Sequence, residues 1–109
     1  MPKPIAFLGS SLEDLRDFPR VARRESGYQL DKVQSGEEPD DWKPLPAAGR
    51  GVSEIRIREE SGIYRVLYVV KFPEAVYVLH AFQKKTQQTS MKDIDVARTR
   101  YRELIRNRP

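Results

Sequence analysis

Between Glu54 and Arg58 charged and apolar residues alternate one for one, Glu-Ile-Arg-Ile-Arg. The stable use of such a segment is a half-buried β-strand, because positions two apart share a face. Ile55 and Ile57 then enter a core while Glu54, Arg56 and Arg58 line the opposite surface. Glu59 to Gly62 reads as a turn, and Ile63 to Phe72 returns as a more continuous apolar strand. A second turn at Pro73-Glu74 leads into Ala75 to Gln83, giving an antiparallel meander of three strands. The short apolar run Ile5 to Leu8 is long enough to add a fourth.

The flanks read as helix and loop. Ser10 and Ser11 stand three residues before Glu13 and Asp14, so either can cap a helix beginning near Leu12, with Leu12, Leu15 and Phe18 as its apolar stripe. Pro19 predicts a bend and the start of a second helix, whose apolar positions are Val21, Ala22, Tyr28, Leu30 and Val33, interrupted by Gly27. Arg20, Arg23, Arg24 and Lys32 then form a solvated face. Ser35 to Asp41 is turn chemistry, and Trp42 to Pro46, with two prolines so close, is expected to be irregular, pinned to the core by Trp42 and Leu45. Ser90, three residues before Asp93, caps a closing helix on which Ile94, Ala97, Tyr101, Leu104 and Ile105 recur at helical spacing. Arg98, Arg100, Arg102 and Arg106 are left outward or lateral.

A chain of 109 residues is one ordinary domain, spanning 1–109, of α+β class. Its formal net charge is +4, and from Lys84 onward eight Lys or Arg stand against three Asp or Glu. That basic end favours a polyanionic partner. Without cysteine there is neither a disulfide framework nor a thiolate metal site, and a single histidine argues against zinc. No Gly-rich phosphate loop is present, and neither a signal peptide nor a membrane span can be read, so a cytoplasmic protein without cofactor is expected.

What remains for chemistry is a set of cations on a sheet. By parity, Arg65 shares a face with Leu67, while His80, Phe82 and Lys84 share a face of the next strand. A concave face combining Arg56, Arg65, His80, Lys84 and Lys85 suits RNA, with guanidinium and ammonium groups on phosphates and Phe82 available for stacking.

The segments WKPL, GVSEIRIR, YRVLYVV and above all VLHAFQKKTQQT resemble the phage-derived branch of the HigB toxins, within the RelE-like toxin superfamily. The resemblance runs from about Ile5 to Leu104. It implies an antiparallel sheet of three to four strands with two N-terminal helices and one C-terminal helix. It also implies a ribosome-dependent endoribonuclease of messenger RNA, held in a hetero-oligomer by a helix-turn-helix, HigA-like antitoxin. Such chemistry needs no metal: a ribose 2′-hydroxyl attacks its own phosphate once a base removes its proton and cations stabilise the transition state. The family pattern assigns phosphate contact to Arg65, Arg56 and Lys84. The catalytic tyrosine that some members place after the basic cluster is replaced here by Thr86 to Ser90, leaving His80 and Glu54 as candidate bases. Arg58, Phe82 and Lys85, with Arg98 and Arg102 on the closing helix, are candidates for RNA contact. The competing reading is a binding module that holds RNA or antitoxin without cutting. A basic DNA-binding or ribosome-associated structural protein is a third, disfavoured because no recognition helix stands out.

Overall fold

The computed structural model describes residues 2–84 and 88–108. Five strands form one sheet: β1 (Ile5–Phe7), β2 (Trp42–Pro44), β3 (Val52–Glu59), β4 (Gly62–Val69) and β5 (Val76–Gln83), in the order β1-β5-β4-β3-β2. Helices α1 (Ser11–Arg16) and α2 (Arg20–Gln34) precede β2, and α3 (Met91–Asn107) follows β5. The α+β class and the three helices stand as expected, but the sheet has two strands beyond the meander, not at most one. β1 runs parallel to β5, with Ile5 opposite Val76. β2, expected to be irregular, pairs antiparallel to β3. It lies at the edge of the sheet, where a proline's missing N–H leaves no ladder bond unmade; Pro46 then opens a short 3-10 turn, Pro46–Ala48.

Both faces of the sheet are covered. Ile55, Ile57, Tyr64, Val66 and Tyr68 pack on one side against Leu15 and Phe18 and against Ala22, Leu30 and Val33 of α2. The buried stripe of α2 is therefore Ala22, Ser26, Gln29, Leu30 and Val33, and the expected core residues Val21 and Tyr28 face solvent. Ser26 fits because its hydroxyl donates to the Ala22 carbonyl at 2.8 Å, so a buried polar group costs little. Gly27 lies mid-helix on the exposed side, and a Cβ built there meets nothing within 4 Å. Gly27→Ala should therefore raise stability by roughly 0.5–1 kcal/mol in chemical denaturation.

On the other side α3 lays Ile94 and Ala97 over Val52, Leu67 and Leu79. Ser90 caps it as expected, accepting from the Asp93 N–H at 3.2 Å. Ser10, by contrast, donates its hydroxyl to the Asp14 carboxylate and makes no side-chain cap. The β4–β5 ladder is interrupted: Leu67 faces His80 but Tyr68 faces Val78, so Leu79 is an extra residue, a β-bulge. Leu79 and His80 consequently both turn toward α3. Arg100, expected to point outward or laterally, reaches back to donate to the Leu79 carbonyl at 2.9 Å and to Ser10 Oγ at 3.0 Å. Gly9, at φ +56°, leaves room for it, since a Cβ there would stand 2.3 Å from the Arg100 Nε.

At its far end α3 is tied to the β4–β5 turn, where Arg108 donates to both Glu74 carboxylate oxygens at 2.9 and 3.0 Å. The Arg108 guanidinium pulls Glu74 down from 4.5 to about 2. A carboxyl with a depressed folded pKa stabilises the fold above its unfolded value and loses that contribution as pH falls. The stability difference between wild type and Glu74→Gln should therefore be full above pH 4.5, shrink toward pH 2 and vanish below it in acid thermal melts. No helix among the described residues is long and apolar enough to cross a membrane.

Candidate functional site

Strand register brings the expected cations to one face. Arg56 stands opposite Arg65, and Arg65 opposite Phe82; on the neighbouring rung Glu54 stands opposite Leu67 and Leu67 opposite His80. Lys43 on β2 pairs with Glu54 and joins the same face. Arg56, Arg65, His80 and Phe82 thus share a side of the sheet, the side α3 covers, and Lys84 follows just beyond the end of β5.

Sharing a face does not give them equal access to a substrate. Arg65 is 1% exposed and its guanidinium is ion-paired with Glu54, which is wholly buried. Thr89 completes this knot, accepting from Arg65 at 2.9 Å and donating to the second Glu54 oxygen, and Lys43 Nζ lies 3.8 Å from the first. Arg65, expected to meet phosphate, and Glu54, a candidate base, thus lie buried and paired with each other, as desolvated charges persist in an interior only when paired. Arg56 is half-buried and donates to Asp41 from Nε at 3.1 Å, with a second nitrogen at 2.9 Å. Arg58 projects into solvent, 3.7 Å from the same carboxylate.

His80 is also buried. Its Nε2 lies 2.7 Å from Asp93 Oδ1, and since a carboxylate only accepts, that nitrogen carries the proton. Its Nδ1 is buried and makes no hydrogen bond among the described residues. Burial pushes the imidazole pKa below its ordinary value against the opposing pull of Asp93. The ring stacks on Phe82, with centroids 4.7 Å apart and planes inclined at 23°. The enclosed imidazole thus has its Nε2 committed to Asp93 and only slight exposure to water.

Asp93 is the group that reaches the open. A cleft of about 380 Å³ between the end of β5 and the start of α3 is lined by Phe82, Gln83, Lys84, Gln88, Ser90, Lys92 and Asp93. His80 and Ser90 hold one Asp93 oxygen each, the Ser90 hydroxyl donating at 2.7 Å. Partial burial, followed by repulsion from the Arg65 guanidinium, holds the Lys84 ammonium below the usual lysine pKa, which sets it close to the row of cations. Sequence reading saw Asp93 and Ser90 only as a cap and missed Lys92, Lys43 and Thr89. The one available signal was the capping pair itself, placed directly after a basic strand end.

The remaining candidates lie elsewhere. Arg98 donates twice to the Ala47 carbonyl, at 3.1 and 2.8 Å, stapling α3 to the 3-10 turn. Arg102 is exposed, about 13 Å along the helix from Asp93 at 1.5 Å per residue. Lys85 lies outside the described residues.

Residues 13–102 match the family described as phage derived protein Gp49-like. No curated protein matches the chain. Among solved structures, the chain is similar to a mutant of the E. coli toxin RelE in the free state, with a TM-score of 0.63 and 18% identity over 95% of this chain and 99% of that one. It is also similar to a chain of the toxin-antitoxin complex RelBE2 from Mycobacterium tuberculosis, with a TM-score of 0.53 and 19% identity over 77% of this chain and 100% of that one. At such identities the likeness is one of fold. The family match spans most of the sequence, and the chain belongs to the phage-derived, Gp49-like family, built on a RelE-like fold.

Proposed function

We propose that the protein is the HigB-like toxin of a type II toxin-antitoxin pair, a cytoplasmic endoribonuclease that cuts messenger RNA on the ribosome. The observation that carries this reading is the cleft whose lining brings Asp93, Lys84 and the ring of Phe82 around one opening. Strand cleavage through the ribose needs one proton taken and one given. Asp93 accepts the proton of the 2′-hydroxyl as its oxygen bonds to phosphorus. Lys84, with its depressed pKa, donates to the 5′-oxygen as the phosphorus–oxygen bond breaks, leaving a cyclic phosphate and a 5′-hydroxyl. Lys92 adds positive charge for the phosphate, and Phe82 offers a face to a base. The partner is a helix-turn-helix, HigA-like antitoxin; the likeness to a chain of a toxin-antitoxin complex supports an antitoxin of some kind.

Induction in cells should arrest growth and produce new transcript 5′ ends inside coding sequence, both relieved by the product of the neighbouring gene. Undisturbed growth and translation would reject the reading. The pairing of Arg65 with Glu54 and of Arg56 with Asp41 withdraws two cations from the surface and favours a second reading, a module that holds RNA or antitoxin without cutting. Growth arrest without new 5′ ends would select it.

A further inference from the structure

On the opposite face of the sheet, where α2 ends, lies a pocket of about 280 Å³ whose walls include Val33, Trp42, Tyr68 and Val70 and whose lining also includes Glu37 and Glu38. We propose that this pocket docks an arginine side chain presented by a protein partner. The inference goes beyond the nuclease reading and does not depend on it.

The charges around the pocket carry the argument. Four carboxylates fall within five residues, Glu37, Glu38, Asp40 and Asp41, on a chain that is otherwise basic. The two away from the pocket are neutralised: Asp40 by Lys32 at 2.7 Å, and Asp41 by Arg56 and Arg58. The two at the pocket have no such close ion pair, although Glu37 also lies within the field of the Lys32 ammonium. Glu38 accepts only the Trp42 indole N–H, at 3.2 Å, and the Glu37 carboxylate has no hydrogen bond or ion pair among the described residues. The C-terminal end of the 15-residue α2 adds partial negative charge at the same place.

The walls select the kind of cation. Val33 and Val70 suit an aliphatic stem, and the Trp42 indole offers the face on which a guanidinium stacks while its fork of N–H donors meets the carboxylates. Burial pushes the Tyr68 phenol up to about 12, so this wall stays uncharged at neutral pH. The volume falls below the usual range for small-molecule sites and suits a single long side chain.

Trp42 is the only tryptophan in the chain, so its fluorescence reports on this pocket alone. Titration with N-acetylarginine amide at constant ionic strength should give a saturable change in the millimolar range. The response to the neutral isostere N-acetylcitrulline amide should be at least tenfold weaker. The double variant E37Q/E38Q, altered only at exposed positions, should keep its circular dichroism spectrum and lose the arginine response. An equal response to citrulline, or no saturable response to arginine, would overturn the proposal. Concentration-dependent dimerisation in sedimentation, abolished by E37Q/E38Q, would overturn the assignment to a partner in favour of a second copy of this chain. Failure here leaves the nuclease reading intact, because Glu37 and Glu38 lie on the face away from the Asp93 cleft.

Discussion

Arg65→Ala should cost about 3–5 kcal/mol of folding stability, measured as a shift in the midpoint of chemical denaturation, before any question of activity arises. The substitution strands the Glu54 carboxylate, which has no exposure to water, and removes a donor from Thr89. A small domain's whole margin is roughly 5–15 kcal/mol, so much of the population is expected to be poorly folded at body temperature. The double variant Glu54→Leu, Arg65→Met should be more stable than the single one, since two apolar side chains of similar size leave no buried charge behind. An unchanged midpoint for Arg65→Ala would show that the pair is more solvated than its enclosure implies. Loss of cleavage in this variant therefore says little about catalysis.

Lys84→Ala is the informative counterpart. Half-buried at the rim of the cleft and outside any ion pair among the described residues, Lys84 should be removable with a stability change within about 0.5 kcal/mol. Cleavage should fall by roughly 10²–10³-fold, the usual consequence of losing one group that stabilises a developing charge. Lys84→Arg separates charge from proton donation, because a guanidinium keeps its proton at any accessible pH. If Lys84 is the acid, the arginine variant recovers binding and little of the rate. The pH profile carries the same signature. Lys84 donates only while protonated, and its pKa lies below the ordinary lysine value of 10.5, so wild-type activity should fall on the alkaline side before pH 10.5 is reached. Full activity in Lys84→Ala would move the chemistry away from this cleft.

Long periodic elements were legible in the sequence for a physical reason. β3, β4 and β5 each run for eight residues, long enough for a two-residue period to repeat and fix which side chains share a face. The row of Arg56, Arg65 and Phe82 follows from that parity. β1 and β2 have three residues each, too few for any period, and their pairing is decided by tertiary placement. α2 misled because its interior accepts Ser26 and Gln29, whose hydrogen bonds satisfy them locally, while Val21 and Tyr28 remain outside. The site was half legible. Parity groups Arg65 with Leu67 and His80 with Phe82, but only the packing of α3 on that face shows that Arg65 and His80 are enclosed while Asp93 and Lys84 line the opening.

The extra residue in β5 decides which side of the sheet the second half of that strand presents. Without Leu79, Val78 and His80 would alternate as in any regular strand, and the partners on either side would keep their register. Were Leu79 kept but paired in an unbroken ladder, it would stand opposite Leu67 and His80 opposite Val66, on the α2 face; slipping one residue out of the ladder is what keeps His80 and Phe82 on the side of α3.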